Sequence, residues 1–336
     1  MQKKTFRFGA SSVDYYFDAG ITQLKTITDP ASTILVTDEH IFDLHQKRFK
    51  GWSTIVLKPG EEFKVQATAD AVIEELIEME ADRKSTLVGI GGGVITDLTG
   101  YVASIYMRGI KYGFIPTSLL AMVDASIGGK NGIDVGPYKN MVGIIRQPAF
   151  IVHDMTFLNT LPENEWKNGF AEIIKHAAIK DASMFRELEG NNLQTYQKKI
   201  KLAGLLVQRN ALLKTKVVQQ DEFEMGDRKL LNFGHTLGHA LETQYELSHG
   251  EAISIGMTYA SYLSQKRLKF KNPDRVVELL ERYGLPTHAQ FDRDKVIDIL
   301  KMDKKKVKNA INFILLERIG KAVIQQIPID QIYETL

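Results

Sequence analysis

The amino-acid sequence contains no cysteine. This absence excludes disulfide bonds, thiol nucleophiles and cysteine-ligated zinc, so a transition metal would have to be bound by histidine and carboxylate side chains. Runs of about 18 apolar residues are also absent, and the first residues lack the continuous apolar core of a signal peptide. We therefore expect neither a membrane span nor secretion, and the predicted location is the cytoplasm.

Charge of one sign is not in excess either. Among the 336 residues, 43 lysines and arginines face 41 aspartates and glutamates, which gives a formal net charge of +2. This balance does not indicate a nucleic-acid partner. A hydrophobic share of 44% and a charged share of 25% are typical of a globular protein, and the length suggests about two domains.

The first half of the chain alternates strand-like and helix-like segments. The predicted buried strands are 32–38, 53–58, 86–90, 112–116 and 150–154. A helix is predicted over 65–79, because its apolar residues fall on one stripe. Strands that alternate with helices predict βαβ units and a mostly parallel sheet.

The pattern changes after about residue 155. Thr160 and Glu163 have the spacing of a capping box that opens a helix, and the chain then reads as helical to about residue 300. A strand pair, 312–316 and 322–327, is predicted around Gly320. We predict an α/β domain over 1–160 and a mainly α-helical domain over 161–336.

Three consecutive glycines, Gly91, Gly92 and Gly93, stand where the strand 86–90 passes into a helix. Glycines at such a junction let phosphates approach the backbone, and the helix start supplies N–H groups. The motif is neither GxGxxG nor a Walker loop, so a nucleotide site and a simple tight turn are both open readings.

Histidines suggest a metal site. His235 and His239 are four residues apart and share one helix face, which permits joint metal ligation, or one ligand beside an acid/base, or two capped or surface histidines. His249 follows soon after, and Glu172 is a further candidate. Two histidines and one carboxylate suit catalytic zinc with an open coordination position.

Several cations lie next to glycine or asparagine, a setting typical of residues that bind phosphate or carboxylate groups. Each of them alone could equally be a solvated surface charge. Of the candidate cations, Arg108, Lys130 and Lys139 are next to glycine or asparagine, and Lys175, Lys214, Arg228 and Lys304 are not.

Together these motifs resemble the 3-dehydroquinate synthase family over roughly residues 30–320. The matching segments are 91–100, 106–109, 122–130, 138–143, 168–176, 221–239 and 249–252. Several motifs in one order are more specific than any single motif. The resemblance implies a Rossmann-like NAD-binding domain followed by a mainly α-helical metal and substrate domain.

The resemblance also implies roles for individual residues. The implied metal ligands are Glu172, His235 and His249. The implied NAD site comprises Asp38, Glu61, Lys64, Gly92, Gly93, Val94, Asp97, Thr117, Ser118, Lys139, Phe157, Leu158, Asn159 and Thr160. The implied substrate contacts are Arg108, Asp124, Lys130, Asn140, Lys175, Lys214, Arg228, Asn232, His239 and Lys304. Glu224 and His239 would transfer protons. In this family the cation that matches Arg108 reaches across a dimer interface, so a homodimer is implied.

The implied activity is a lyase reaction of the shikimate pathway that uses NAD and one divalent metal, zinc or cobalt. It converts 3-deoxy-D-arabino-heptulosonate 7-phosphate to 3-dehydroquinate and phosphate by transient oxidation, β-elimination, re-reduction and aldol closure. The nearest alternative is another sugar phosphate cyclase, which would differ at the positions of Asn232 and His239. A metal-dependent polyol dehydrogenase of the same fold would lack the cations, and a non-enzymatic nucleotide-binding protein would lack an intact metal set.

Overall fold

A computed structural model describes residues 1–136, 138–302 and 310–333. The chain forms two compact units. The first comprises Met1–Pro162 and Lys199–Phe223, and the second comprises Glu163–Lys198 and Glu224–Leu336. The division into domains at residue 160 stays a prediction.

The strands, in chain order, are β1 Gln2–Phe8, β2 Ser11–Phe17, β3 Thr33–Asp38, β4 Ser53–Leu57, β5 Thr86–Gly91, β6 Lys111–Pro116, β7 Lys130–Val135, β8 Tyr138–Ile145, β9 Phe150–Val152, β10 Ala310–Arg318 and β11 Lys321–Pro328. The α-helices are α1 Glu39–Phe49, α2 Gln66–Glu78, α3 Gly93–Ile105, α4 Glu163–Lys180, α5 Ala182–Glu189, α6 Leu193–Lys198, α7 Ile200–Gln220, α8 His235–Gln244, α9 His249–Leu268, α10 Pro273–Arg282, α11 Arg293–Met302 and α12 Ile329–Tyr333.

The first unit is built on a seven-stranded sheet with the order β1-β2-β9-β6-β5-β3-β4. All neighbours are parallel except β1 and β2. The five predicted strands and the mostly parallel sheet are confirmed. The hairpins β1–β2 and β7–β8 were not predicted, because much of β1 and nearly all of β8 are exposed and give no buried apolar run.

The carboxyl ends of β3, β5 and β6 lie at one edge of this sheet because the three strands are parallel. Gly91 ends β5, and a Cβ there would lie 2.5 Å from the Cβ of Ile95. Only glycine therefore lets the strand pass so tightly into α3. This edge is where open parallel sheets bind their ligands.

Helix α7 lies in the helical half of the sequence but groups with the first unit. Its buried residues Ala211 and Val218 belong to the same apolar core as the sheet. The Thr215 hydroxyl also donates a hydrogen bond of 2.9 Å to the hydroxyl of Tyr15 on β2. The side chains that α7 carries thus belong with the sheet.

The second unit is mainly helical, as predicted, and the antiparallel pair β10–β11 confirms the strands expected around Gly320. Helix α4 begins at Glu163, so the predicted capping box is wrong. The Thr160 hydroxyl instead donates to the carbonyl of Phe157 and lies 3.1 Å from Nε2 of His45. No helix among the described residues is long and apolar enough to cross a membrane.

His153 is a titratable group enclosed in the first unit. Its ring is fully buried and stacks on Phe17 at 4.8 Å, and Nε2 lies 3.2 Å from the carbonyl oxygen of Met122. Burial lowers the pKa of His153 from 6.5 to about 4. Between about pH 4 and pH 6.5, His153 is therefore neutral in the folded chain but protonated in the unfolded chain.

We expect His153 to contribute to acid sensitivity. Stability that is fully present above about pH 6.5 should fall by about 3 kcal/mol as the pH drops through 4, and His153→Phe should remove this part of the dependence. Urea unfolding at several pH values, followed by Trp52 fluorescence in a Trp166→Phe background, measures the difference. Equal pH dependence in the parent and the His153→Phe chain would contradict the assignment.

Candidate active site

The glycine turn forms the centre of the candidate cofactor site. Helix α3 begins at Gly93 with Gly92 as its N-cap, and the Thr117 N–H on the neighbouring strand connection donates to the Gly91 carbonyl at 2.9 Å. Ser118 is buried beside Gly92, where a Cβ would lie 3.5 Å from its hydroxyl oxygen. Open N–H groups and the positive end of the helix dipole suit a phosphate here.

Asp38 ends β3 at the same edge. Its carboxylate accepts a hydrogen bond of 3.0 Å from the Ile41 N–H and so caps α1. Burial raises the pKa of Asp38, although the Ile41 N–H opposes this shift. The sequence prediction that this carboxylate contacts the cofactor is compatible with its place at the strand end.

A buried lysine connects predicted cofactor and substrate residues. Lys64 Nζ lies 2.7 Å from Asp97 Oδ2 and 3.6 Å from Glu61 Oε1, and it donates to Asn140 Oδ1 at 2.7 Å. Burial alone would lower the pKa of Lys64, but the Asp97 and Glu61 carboxylates outweigh it and raise that pKa. The Asn140 N–H in turn donates to Asp134 at 2.7 Å. The four predicted residues thus form one charged network.

A second lysine fixes an irregular helical turn. The chain makes one turn of π-helix over Ala121–Ala125, and Lys214 from α7 lies 2.9 Å from Asp124 Oδ1 and donates to the Asp124 carbonyl at 2.7 Å. π-turns are frequent at functional sites. The structure therefore pairs two predicted substrate residues that are distant in sequence.

The segment Met155–Thr160 forms a 3₁₀ turn after β9. Phe157 and Leu158 are buried in it, and Arg48 donates to the hydroxyl of Thr156 at 2.8 Å. The Arg48 guanidinium also lies 4.6 Å from the centre of the Phe157 ring. The predicted cofactor residues of this turn are thus held firmly in the first unit.

In the second unit, Glu172, His235 and His249 form a compact group whose ligand atoms all lie within 4.8 Å of one another. Glu172 Oε1 lies 3.4 Å from His235 Nε2 and 3.2 Å from His249 Nε2. Ligand distances of about 2.0–2.1 Å at tetrahedral angles place donor atoms about 3.3 Å apart, so the residues fit a divalent metal.

The protonation state of His235 favours ligation, whereas His249 must release a proton before it can bind a metal. His235 Nδ1 lies 3.1 Å from the Phe233 carbonyl oxygen and donates to it, which leaves the Nε2 lone pair directed at Glu172. Burial, helped by the Lys175 ammonium, holds the pKa of His235 well below its ordinary value. Burial also lowers the pKa of His249, but interactions with the Glu172 and Glu242 carboxylates outweigh it and raise that pKa to about 9.

The second oxygen of Glu172 pairs with Lys175, one turn further along α4, and both side chains are almost fully buried. Removing one partner from such a buried pair leaves an uncompensated charge. The pair therefore orients the carboxylate toward the two histidines.

Both histidines are the first residues of helices. His235 opens α8 after Gly234, which has φ +81°, and His249 opens α9 after the N-cap Ser248. The backbones of the two helices meet directly at one point: a Cβ on Gly256 would lie 1.9 Å from the Gly234 carbonyl oxygen. This close packing brings the two imidazoles to one carboxylate.

The two predicted proton-transfer residues, Glu224 and His239, both belong to the second unit. Glu224 accepts a hydrogen bond of 2.7 Å from the amide of Asn232, which ends the 3₁₀ turn that also holds the buried Arg228. The ring of His239 lies 5.1 Å from that of His235, one turn further along α8. The structure groups His249, not His239, with His235 and Glu172 as potential ligands.

Three of the predicted cations, Arg108, Lys130 and Lys139, are exposed on turns or strand ends of the first unit. Lys304 lies outside the described residues. The roles of all these side chains remain predictions.

Comparisons with known proteins match this arrangement. Family models of the 3-dehydroquinate synthase N-terminal and C-terminal domains match residues 54–168 and 169–306. A 3-dehydroquinate synthase from Campylobacter curvus (strain 525.92) is 39% identical over 331 residues, which cover 95% of this chain and 94% of that protein. The chain belongs to the 3-dehydroquinate synthase family.

Solved structures share the family fold. A 2-deoxy-scyllo-inosose synthase complexed with carbaglucose-6-phosphate, NAD⁺ and Co²⁺ has a TM-score of 0.88 at 24% identity, over 99% of this chain and 98% of that one. A 2-epi-5-epi-valiolone synthase from Streptomyces hygroscopicus subsp. jinggangensis 5008, with NAD⁺ and Zn²⁺ bound, has a TM-score of 0.88 at 26% identity, over 100% of this chain and 98% of that one. The Rossmann-like and helical fold of the 3-dehydroquinate synthase family is thereby confirmed.

The structure places two residues beside the predicted site that the sequence motifs did not indicate, Glu242 and Arg146. Glu242 Oε2 lies 3.6 Å from His249 Nδ1. Glu242 lies seven residues after His235, and this spacing puts both residues on one face of α8. The spacing could therefore have indicated Glu242 from the sequence. Arg146 supports the turn that carries Arg108, and no motif marks it.

The glycine contact in this family member yields a stability prediction. Gly256→Ala should lower the free energy of unfolding of the second unit by about 1–3 kcal/mol, because its methyl group collides with backbone that cannot move aside. It should also weaken zinc binding, since α8 and α9 would separate. Thermal unfolding and a chelator competition measure the two effects.

Gly190→Ala is the matched control. A Cβ on Gly190 would meet only ordinary contacts, the nearest at 3.6 Å, and its φ is −82°. This change should alter stability by less than about 0.5 kcal/mol. Equal behaviour of the two variants would show that the helices can separate at no cost.

Proposed function

We propose that the chain converts 3-deoxy-D-arabino-heptulosonate 7-phosphate to 3-dehydroquinate and phosphate, with NAD and one divalent metal as cofactors. The 39% identity to a 3-dehydroquinate synthase across 95% of this chain carries the proposal. The cofactors follow from the donor group Glu172, His235 and His249 and from the valiolone synthase, 26% identical, that has NAD⁺ and Zn²⁺ bound. The cytoplasmic location stays part of the proposal.

Each unit provides one kind of cofactor site. Asp38, the Gly92–Gly93 turn and the Lys64 network would hold NAD, while Glu172, His235 and His249 would hold zinc or cobalt. When bound, NAD supplies a reversible hydride acceptor, and the metal supplies a Lewis acid for a substrate hydroxyl.

The substrate carries a phosphate and a carboxylate, so it needs cations that position it. Lys175, Lys214 and Arg228 are buried side chains, and burial strengthens their attraction for an anion. Glu224, which accepts a hydrogen bond from Asn232, and His239 would move protons. A polyol dehydrogenase would share the metal group but has no use for this set of cations.

Phosphate release, measured with NAD and Zn²⁺ while NADH absorbance is followed, tests the proposal. Continuous phosphate release without net NADH is expected, because the hydride returns to the intermediate in each turnover. Steady NADH production from a simple polyol would instead establish a dehydrogenase. Failure to release phosphate with both cofactors bound, together with turnover of another sugar phosphate, would establish a different cyclase.

His235→Ala should remove tight zinc binding and phosphate release together, since two of the three ligands remain and the imidazole is not replaced. Zinc content after dialysis against a weak chelator, and activity at saturating zinc, measure the two effects. His288→Ala, which changes an exposed histidine in the same unit, is the control and should retain both. Full activity of zinc-stripped His235→Ala protein would exclude this ligand set.

We further propose that the enzyme is a homodimer through the hairpin surface, defined as the exposed apolar residues Val135, Tyr138, Met141, Val142 and Ile144. All five side chains are at least 40% exposed. An apolar surface of this kind marks an interface, and a two-stranded hairpin is marginally stable when left uncovered. A second copy is the partner that the family resemblance implies.

Met141→Glu should convert the dimer to a single 37.9 kDa chain, because it places a charge in the proposed interface. Light scattering at micromolar concentration measures the mass. Ile77→Glu alters another exposed apolar residue of the first unit, 60% exposed on α2, and should leave the dimer intact. A parent chain of single mass would exclude the dimer.

A further inference from the structure

A strained turn carries Arg108. After α3 the chain forms a 3₁₀ turn over Tyr106–Arg108, in which Met107 and Arg108 have φ values of +48° and +67°. Gly109 follows with φ +114°. Non-glycine residues in this region are strained and persist only where their surroundings hold them there. Something must therefore hold the two ends of the turn.

The Arg146 guanidinium holds both ends. Its two terminal nitrogens donate to the carbonyls of Ala103, 2.9 Å away before the turn, and Ile110, 2.8 Å away after it. The Ala103 carbonyl belongs to the last turn of α3, where a positive charge is favourable. The fork of an arginine matches two carbonyls in a way that a lysine cannot.

The position of Arg146 itself is fixed independently of these bonds. Its backbone N–H donates to the Gly129 carbonyl at 2.8 Å, and its carbonyl accepts hydrogen bonds from Asn131, at 3.0 Å, and from the Tyr112 hydroxyl. Its guanidinium carbon lies 5.2 Å from the centre of the Tyr112 ring. The side chain thus reaches the turn from a rigid base.

We infer that Arg146 is a positioning residue, which acts through Arg108 on binding of the anionic substrate. This inference rests on the proposed function for the role of Arg108, but the contacts of Arg146 are those of the structure. Arg146 holds the backbone of the turn, and the turn aims the exposed Arg108 side chain. Loss of the two Arg146 hydrogen bonds lets the turn and the Arg108 side chain move. The predicted metal-binding and NAD-binding residues are not altered.

Arg146→Lys should raise the KM for 3-deoxy-D-arabino-heptulosonate 7-phosphate about tenfold, which corresponds to one lost hydrogen bond to a charged group. The KM for NAD should stay unchanged, and kcat should change by less than about threefold, since substrate positioning is lost and not chemistry. In an Arg108→Ala background the same change should have less than about a twofold further effect. Effects that multiply in the double variant would overturn the inference, because Arg146 would then act without Arg108.

Hydrogen exchange supplies a readout that does not depend on activity. The N–H groups of Gly109 and Ile110 donate to the carbonyls of Tyr106 and Ala103, each at 2.8 Å. Their exchange should become at least about tenfold faster in Arg146→Lys, as expected if the turn opens locally. Unchanged exchange would overturn the inference. If the parent chain releases no phosphate, the proposed function fails while the exchange result still decides whether Arg146 holds the turn.

Arg275→Lys is the matched control. Arg275 makes a two-pronged ion pair with Glu189, with both bonds 2.8 Å long, in the second unit and away from the predicted site residues. Its loss should reduce stability by an amount similar to that of Arg146→Lys but leave both KM values and the exchange of the turn unchanged. A substrate KM raised equally in both variants would reduce the Arg146 effect to general destabilisation and overturn the inference.

Discussion

The contact between α8 and α9 is the constraint on which the candidate metal centre depends. Gly234 and Gly256 remove the side chains from this contact, so the first residues of two helices come together. His235 and His249 then meet the same Glu172 oxygen. The positive ends of the helix dipoles lie at these positions and favour the Glu172 carboxylate. A packing constraint thus sets the chemistry of the site.

In both units, buried charged side chains are paired with side chains of opposite charge. Glu172 is balanced by Lys175 and the histidines in the second unit, and Lys64 is balanced by Asp97 and Glu61 in the first. An isolated charge in either place would be strongly unfavourable, whereas a paired charge fixes the orientation of its partners. The residues that are predicted to bind cofactors are therefore also residues that the fold requires in charged form.

Prediction from sequence succeeded where burial leaves a pattern. Apolar runs predicted the parallel strands, and the histidine spacing limited the metal ligands to a few options. The β7–β8 hairpin escaped prediction because its outer strand is exposed and shows no apolar alternation. Arg146 escaped it because its partners are carbonyls 36 and 43 residues away, and any residue type offers a carbonyl. Spacing alone also could not choose between His239 and His249 as the second ligand.

The fold does not select the substrate, since other sugar phosphate cyclases share it at a TM-score of 0.88. Backbone strain indicates which residues select the substrate. Positive φ occurs at seven non-glycine residues of the described chain, and three of these, Arg108, Asn140 and Glu224, are predicted to contact substrate or move its protons. Each such residue costs about 1–3 kcal/mol, so it persists only where its surroundings hold it. Those surroundings, Arg146 for Arg108, Lys64 and Asp134 for Asn140, and Asn232 for Glu224, therefore determine where the reacting groups of the site are placed.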